Sequence, residues 1–541
     1  MNRRDLLKAT PLLLSAKARI SFCTPATPTS YSHRLRGLSQ YIGDVMARFH
    51  VPGAAVAIVL GDDTLFCQGF GVRDVTTRAP VEENTLFSLA SNTKPFTGTC
   101  FAMLESEGRL KAQDRVVDYL PFFGLSSLEA TQEMKIGDLL SHKSGLPAHA
   151  GDLLFFPPTT YTLAEVVDRI RALPEVAPFG SKFAYENVLY AAGALLIKKV
   201  SGQPYTDFVS ERIFAPLGMT SSRVNAEGLN ASGNVATGYR ELDSMLRPVP
   251  PLIWNNNPGA GGIYSSATDM LSWMRLHLNG GLCHTPSGTV RRLYTKVAQE
   301  RMWRPQVQIP LDSSATPADK LQYGQLSYGS GWFLSNYRGE RLVWHTGEFP
   351  GFTSKMTLVP SRKFGVAVLT NQEQDEAFEA ITNYVLDRFL GMSDIDWLTL
   401  FTESAESDRQ QTQAKLAALL ATRTFGQDRV VDHKRYEGTF EDPWYGDVLF
   451  RSSEHRLLVQ FEKTPSLHGE LHPWCENTFK VRWDDRLLQG DALIEFHLDS
   501  SGTAKSAGMK RLSPFEAPAF DFRDLRLVRK EASGIAAKTF R

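Results

Sequence analysis

The stretch Phe87-Ser88-Leu89-Ala90-Ser91-Asn92-Thr93-Lys94-Pro95-Phe96-Thr97-Gly98 contains the tetrad Ser91-x-x-Lys94 and is followed by the apolar run Phe101-Ala102-Met103-Leu104. Small and polar residues in front and apolar residues behind describe a loop running into a helix that starts near Ser91. Positions three apart share a helix face, so the Ser91 hydroxyl and the Lys94 amine are expected side by side. The first N–H groups of a helix have no intrahelical acceptor, which leaves the Ser91 N–H free to meet an oxyanion. A serine hydroxyl becomes a useful nucleophile only when a neighbour takes its proton. One helical turn can therefore carry nucleophile, base and oxyanion donor. Pro95, lacking an N–H, suits a first turn and would break a helix further in. Alone, the tetrad is better described as a helix cap with a solvated lysine, so the rest of the chain must decide.

Composition narrows the classes. The 541 residues carry 59 basic and 59 acidic side chains, and 42% are apolar. That is an ordinary globular composition, long enough for two or three domains. Zero net charge and the lack of a charged tail argue against a nucleic-acid partner. The five cysteines, Cys23, Cys67, Cys100, Cys283 and Cys475, are scattered. They form neither a disulfide framework nor a metal-type spacing, and no metal or organic cofactor is expected. Arg3-Arg4 precedes a short apolar stretch, Pro11 to Leu14, and Ala16-Lys17-Ala18 offers a small-residue cleavage spacing. This is the pattern of a twin-arginine export signal, with a periplasmic mature protein as its consequence. A cytoplasmic tail is the alternative, since Lys17 and Arg19 follow a short apolar core. No other run is long enough to span a bilayer.

Periodicity then gives the order of elements. A helix over 33–49 is followed by a hairpin of strands over 54–60 and 64–70. Helices occupy the middle: from Ser91 to Glu107, 161–173, 188–200, and 269–278 with Thr268 as cap. Leu139 to Pro147 ends a helix in a Gly/Pro turn. Ser141 and His142 there are read as loop-structuring, because adjacent residues on a helix do not face each other. Strand-like segments 329–333, 341–344, 354–360 and 365–370 come next, then a helix over 375–390. The fold class is therefore α/β (α+β): an antiparallel sheet built from both ends of the segment, flanked by helices, with a helical insertion between.

Three polar clusters now stand in sequence: Ser91-x-x-Lys94, Tyr185-x-Asn187 and His345-Thr346-Gly347. Their order, spacing and flanks resemble the serine β-lactamase and penicillin-binding protein superfamily. The Tyr-x-Asn triplet is similar to that of its class C-like branch, which includes class C β-lactamases, D-aminopeptidases, D,D-carboxypeptidases and family VIII esterases. The phrases 139–147, 259–270 and Pro350-Gly351-Phe352 resemble other recurrent stretches of that family, and the resemblance covers roughly 33–392.

It implies Ser91 as the acylated nucleophile, Lys94 as the group helping to deprotonate it, and Tyr185 as a proton shuttle. Asn187 would hold Lys94 and the substrate amide, and His345, Thr346 and Gly347 would line the substrate. The N–H of Glu348 would join that of Ser91 in the oxyanion hole. Lysine titrates near 10.4, so this role needs its pKa lowered by about three units, roughly 4 kcal/mol. Where penicillin-recognising members carry lysine, this chain has His345, mostly neutral at pH 7, which argues for esters or amides over β-lactams.

Beyond Met392 the composition shifts. The resulting division is 1–30 export signal and disordered N-terminus, 31–395 hydrolase domain, 396–428 helical linker, 429–532 small all-β meander or barrel, and 533–541 tail. Trp444, Tyr445 and Trp474 are assigned to the core of that β unit, which is expected to shape the mouth of the site. The function implied is a serine hydrolase acting on small-molecule or peptide-like esters or amides through an acyl-enzyme: an esterase, a D-amino-acid peptidase or amidase, or a weak β-lactamase. A penicillin-binding protein acylated without turnover and an acyltransferase using the same site are the alternatives. Substrate and oligomeric state are not legible.

Overall fold

The computed structural model describes residues 33–229, 233–251, 253–310, 324–424, 432–453, 456–512 and 522–531. The expected export signal and the tail after 533 lie outside them. Helix α1 (Leu38–Arg48) leads into strands β1 (Gly53–Leu60) and β2 (Asp63–Gly71). The helical insertion includes α2 (Lys94–Ser106), α3 (Val188–Ser201) and α4 (Ala267–Leu278). Six strands follow: β3 (Val307–Ile309), β4 (Leu326–Tyr328), β5 (Phe333–Tyr337), β6 (Glu340–Phe349), β7 (Phe352–Val359) and β8 (Phe364–Thr370). Helices α5 (Asp375–Leu390) and α6 (Trp397–Leu420) complete this part.

The sheet order is β3-β4-β5-β6-β7-β8-β1-β2, antiparallel throughout. The chain's first hairpin thus closes onto its last strand, with the insertion looped out between. Strand β1 is buried on both faces, which explains its nearly unbroken apolar run. Ala54, Val56 and Ile58 pack toward α1 and α5 with Ile42, Val45, Ile381 and Val385. Ala55, Ala57 and Val59 pack toward the insertion, whose Phe96 and Trp273 rings stack at 3.7 Å.

Some boundaries differ from expectation. Residues 329–332 turn between strands, because Gly331 takes φ 82° and a Cβ there would lie 2.6 Å from the Lys94 carbonyl oxygen. The cap of α4 is Ser266, whose side chain accepts from the Asp269 N–H, and not Thr268. Helix α6 begins at Trp397, which is fully buried and donates its Nε1–H to Asp387 at 2.8 Å. Its start is therefore docked on α5.

After α6, eight strands from β9 (Gly438–Asp442) to β16 (Arg526–Arg529) each pair with the next. Pairing of Phe440 with Arg529 closes them into a barrel without free edges. Phe440, Phe450, Phe461, Phe479, Trp483 and Phe496 fill its core, which Trp444 and Tyr445 join as expected, whereas Trp474 packs outside that core with Leu493, Leu512 and Leu419 of α6. The barrel docks on the insertion. The Tyr161 hydroxyl donates to the Tyr445 carbonyl, Arg169 Nη1 to the Trp444 carbonyl at 2.9 Å, and the Thr160 N–H to the Lys463 carbonyl at 2.8 Å. Arg240 bridges the two parts: its Nε and Nη2 grip Glu373 at 2.7 and 2.8 Å, and its Nη1 donates to the Leu487 carbonyl of the barrel at 2.5 Å.

Arg240 is nearly buried, so truncating it removes the donor to the Leu487 carbonyl and leaves Glu373 held by the Gly351 N–H at 3.1 Å. Breaking a buried pair from one side typically costs about 3–5 kcal/mol. Arg240→Ala is expected to lower the thermal midpoint measured by circular dichroism by several degrees. An unchanged midpoint would mean that the bridge contributes nothing to holding the barrel.

Candidate active site

Ser91 sits on a 3-10 turn (Ala90–Thr93) that runs directly into α2. Ala90 takes φ 47°, a left-handed conformation unusual for a residue with a Cβ. Four bonds hold the turn there. Leu89 N–H donates to the Ile263 carbonyl at 2.8 Å, and Ile263 N–H donates to Thr93 Oγ1 at 3.0 Å. Ser354 Oγ of β7 donates to the Leu89 carbonyl and accepts from Asn92 Nδ2, both at 2.8 Å. The turn is thereby clamped between the sheet and the glycine-rich segment after Asn257.

Strand β6 passes beside it. Its ladder to β5 ends at Trp344, while its ladder to β7 continues through Gly347 and Glu348. A Cβ on Gly347 would lie 2.0 Å from the Leu89 carbonyl oxygen and 3.0 Å from the Ser91 nitrogen. Only glycine permits so close an approach.

Lys94 is fully buried, and its Nζ lies 2.8 Å from Ser91 Oγ and donates to the Ala260 carbonyl at 3.1 Å. It also stands 4.7 Å from the centre of the Tyr185 ring. Burial pushes its pKa well below the usual lysine value, against the opposing pull of Asp152. Tyr185 is hydrogen-bonded to Ser91. Part of Tyr185 reaches the cavity, yet burial first, with Asp152 and Glu348 adding to it, pushes the phenol up, while the Ser91 bond opposes this. Tyr185 therefore stays a proton donor at neutral pH.

Ser91, Tyr185, Asn187, Thr346 and Glu348 line one open cleft, with Phe155, Phe156, Trp254 and Phe349 as an aromatic wall. Two expected residues are placed otherwise. Asn187 Nδ2 donates to Asp152 Oδ2 at 3.0 Å, and Asn187 makes no hydrogen bond to Lys94, whose second partner is the Ala260 carbonyl. His345 is buried off the cleft wall. Its Nδ1 is 2.5 Å from the Thr346 carbonyl and its Nε2 is 2.9 Å from the Tyr328 hydroxyl. These partners assign Nδ1 as the protonated nitrogen and Nε2 as the acceptor. Burial, and then the Lys94 charge, push it down to about 3. It is held neutral, hydrogen-bonded to the Tyr328 hydroxyl.

Sequence reading missed Asp152 and the Ala260 carbonyl. Asp152 carries no motif; the Gly-Ala-Gly-Gly run at 259–262 was the only signal for Ala260. It also missed Glu186, between Tyr185 and Asn187. Glu186 Oε1 accepts from Ser144 Oγ at 2.7 Å, its N–H donates to His142 Nδ1 at 3.0 Å, and burial pushes the carboxyl up to about 8. His142 is loop-structuring, as expected.

The family model "Beta-lactamase" matches residues 38–389, and "Domain of unknown function (DUF3471)" matches 432–529. Unguisins hydrolase ungD' of Aspergillus campestris is 26% identical over 502 residues, 87% of this chain and 88% of that protein. Protein flp of Staphylococcus aureus is 29% identical over 324 residues, 60% of each chain. Among solved structures, the octameric penicillin-binding protein homologue from Pyrococcus abyssi aligns with TM-score 0.58 and 22% identity, covering 91% of this chain and 99% of its own. A class C beta lactamase from Rhodobacter sphaeroides aligns with TM-score 0.52 and 23% identity, over 65% of this chain and 99% of its own. Both structural likenesses concern the fold. Among the described residues no helix is long and apolar enough to cross a membrane.

Gly347→Ala must push β6 off the Ser91 turn, an overpacking expected to destabilise by about 1–3 kcal/mol. Gly43→Ala, in open space on α1, should instead be neutral or stabilising by up to about 1 kcal/mol. Urea unfolding of both variants checks the contrast. Glu186 gives a pH test. Its folded pKa is raised, so the folded state holds a proton that the unfolded chain releases near 4.5. Its contribution to stability is full below that value and falls until pH passes about 8. Relative to the natural protein, Glu186→Gln should gain stability between pH 5 and 8 and keep a constant advantage above. A difference that stays flat with pH would refute the neutral carboxyl.

Proposed function

Because the chain belongs to the beta-lactamase family, whose members are serine hydrolases, we propose that it hydrolyses esters or amides through an acyl-enzyme on Ser91. The observation that carries this is the buried Lys94 Nζ, 2.8 Å from Ser91 Oγ. A desolvated amine is held in its neutral form, and its lone pair can take the Ser91 proton. Ser91 Oγ then attacks the carbonyl carbon, and the oxyanion forms against the N–H groups of Ser91 and Glu348. Collapse breaks the bond to the leaving group, which receives a proton from Tyr185. The Lys94 ammonium returns that proton to the phenol. Water repeats the sequence on the acyl ester and regenerates Ser91.

Thr346 and Gly347 shape the rim of the oxyanion site, and Asn187 orients the substrate from its bond to Asp152. With His345 neutral and buried, no lysine among the described residues lines the cleft to meet a β-lactam carboxylate, so such antibiotics are poor substrates. The barrel supports the cleft through Arg240. A hydrolase name on a relative similar over most of the chain favours turnover over acylation without release. In the proposed division the hydrolase domain spans 31–395, the linker 396–428 and the β domain 429–532. The twin-arginine segment would direct export.

Intact-mass measurement after mixing with short-chain nitrophenyl esters, amino-acid amides and a penicillin tests this. Ser91-dependent turnover is expected with at least one ester or amide, with Ser91→Ala lowering it by about 10³-fold or more. A stable penicillin adduct without turnover of anything would favour the binding-protein alternative. No adduct and no turnover would remove the assigned chemistry.

A further inference from the structure

The cleft holds a second proton-handling pair that the proposed reaction does not use. The segment Pro147-Ala148-His149-Ala150-Gly151-Asp152 is tied at both ends to the Tyr185-x-Asn187 triplet. The His149 N–H donates to the Tyr185 carbonyl at 2.7 Å, and Asn187 Nδ2 donates to Asp152 Oδ2 at 3.0 Å. His149 takes φ 64°, a left-handed conformation that a residue with a Cβ keeps only where its surroundings impose it. That fold of the segment pairs two side chains: His149 Nδ1 lies 3.1 Å from Asp152 Oδ2. An ionised carboxylate only accepts, so Nδ1 carries the proton of this bond and Nε2 the lone pair. The two members differ in access. Asp152 is buried, whereas the His149 side chain is 22% exposed and lines the cleft with Ser91 and Tyr185. His149 Nε2 bonds no group among the described residues and is not sealed from solvent, so it is free to meet a water molecule in the cleft.

We propose that His149, oriented by Asp152, is the general base for the water that hydrolyses the Ser91 acyl-enzyme, so that the two half-reactions use different bases. The inference rests on the acyl-enzyme reading above and deepens it. By microscopic reversibility, water enters where the leaving group departed, which is beside Tyr185. The His149 ring centre stands 5.6 Å from that of Tyr185. Lys94 is fully buried and does not line the cleft, so incoming water meets His149 first. Histidine is the side chain most often used as a general base. Water gives one proton to His149 Nε2 as its oxygen bonds the acyl carbon. The tetrahedral intermediate then collapses and the bond from carbon to Ser91 Oγ breaks. Oγ takes the proton of the Tyr185 phenol, to which it is hydrogen-bonded. The imidazolium returns its proton to the tyrosinate beside it, and the carboxylic acid leaves. Asp152 stabilises the imidazolium while it exists, as a buried carboxylate does behind a histidine base.

The test separates the two half-reactions with p-nitrophenyl acetate. Rapid mixing reads acylation from the nitrophenol of the first turnover. Intact mass after removal of the ester reads how fast the acyl adduct on Ser91 clears. In His149→Gln the adduct is expected to accumulate and to clear about 10²-fold more slowly or worse, the usual share of a general base, with acylation unchanged. A residue that only shaped the loop would slow both steps together. His149→Gly is the second variant, because glycine adopts φ 64° without steric cost and leaves room for a free imidazole. Added imidazole is expected to speed clearance of its adduct and to leave the natural protein unmoved. Adducts that form on Ser91 and clear from both variants at the natural rate overturn this inference alone. So does acylation that falls as far as clearance. Absence of any Ser91 adduct and of Ser91-dependent nitrophenol release, natural protein included, overturns the acyl-enzyme reading beneath it.

Discussion

Everything at this site depends on taking one lysine out of water. Lys94 is enclosed by α2, the Ala260 carbonyl and the rings of Tyr185 and Tyr190. An ammonium loses most of its hydration there, and the two polar partners at Ser91 and Ala260 do not replace it. The same burial that would destabilise a charged lysine makes a neutral one available as a base. Asp152 limits the effect by favouring the charged form, so the site balances desolvation against one nearby carboxylate.

That burial requires the backbone to come close from three directions. Gly331 lets a turn lie over the Lys94 carbonyl, Gly347 lets β6 lie against Ser91, and Gly259 lets the segment carrying Ala260 approach the Tyr190 carbonyl, where a Cβ would stand 2.9 Å away. Each element comes from a different region of the chain. They meet because the first hairpin pairs with the last strand, folding the helical insertion back over the sheet. The barrel then leans on the insertion and reaches the cleft through Arg240.

The elements with strong periodicity were legible in advance. The doubly buried run of β1, the long apolar α3 and the hairpin turn at Gly61 each state their conformation locally. The segment 329–333 did not, because its apolar and glycine residues suit either a strand or a turn. The close packing of Gly331 on Lys94 decides for the turn. The docking of the start of α6 was not legible either, since what holds it is the buried bond between Trp397 and Asp387, a contact of the folded chain.

The sequence by itself determined which chemical groups are present and in what order: Ser91 with Lys94 one turn apart, Tyr185 with Asn187, and a glycine at 347. Local spacing is enough for that, because a helix places positions three apart on one face. The tertiary structure decided what those groups can do. It buried His345 beside Tyr328, and it paired Asn187 with Asp152. It also made a backbone carbonyl the second partner of Lys94. A side chain's ionisation and direction are set by the dielectric and the partners around it, and those partners come from residues far away along the chain.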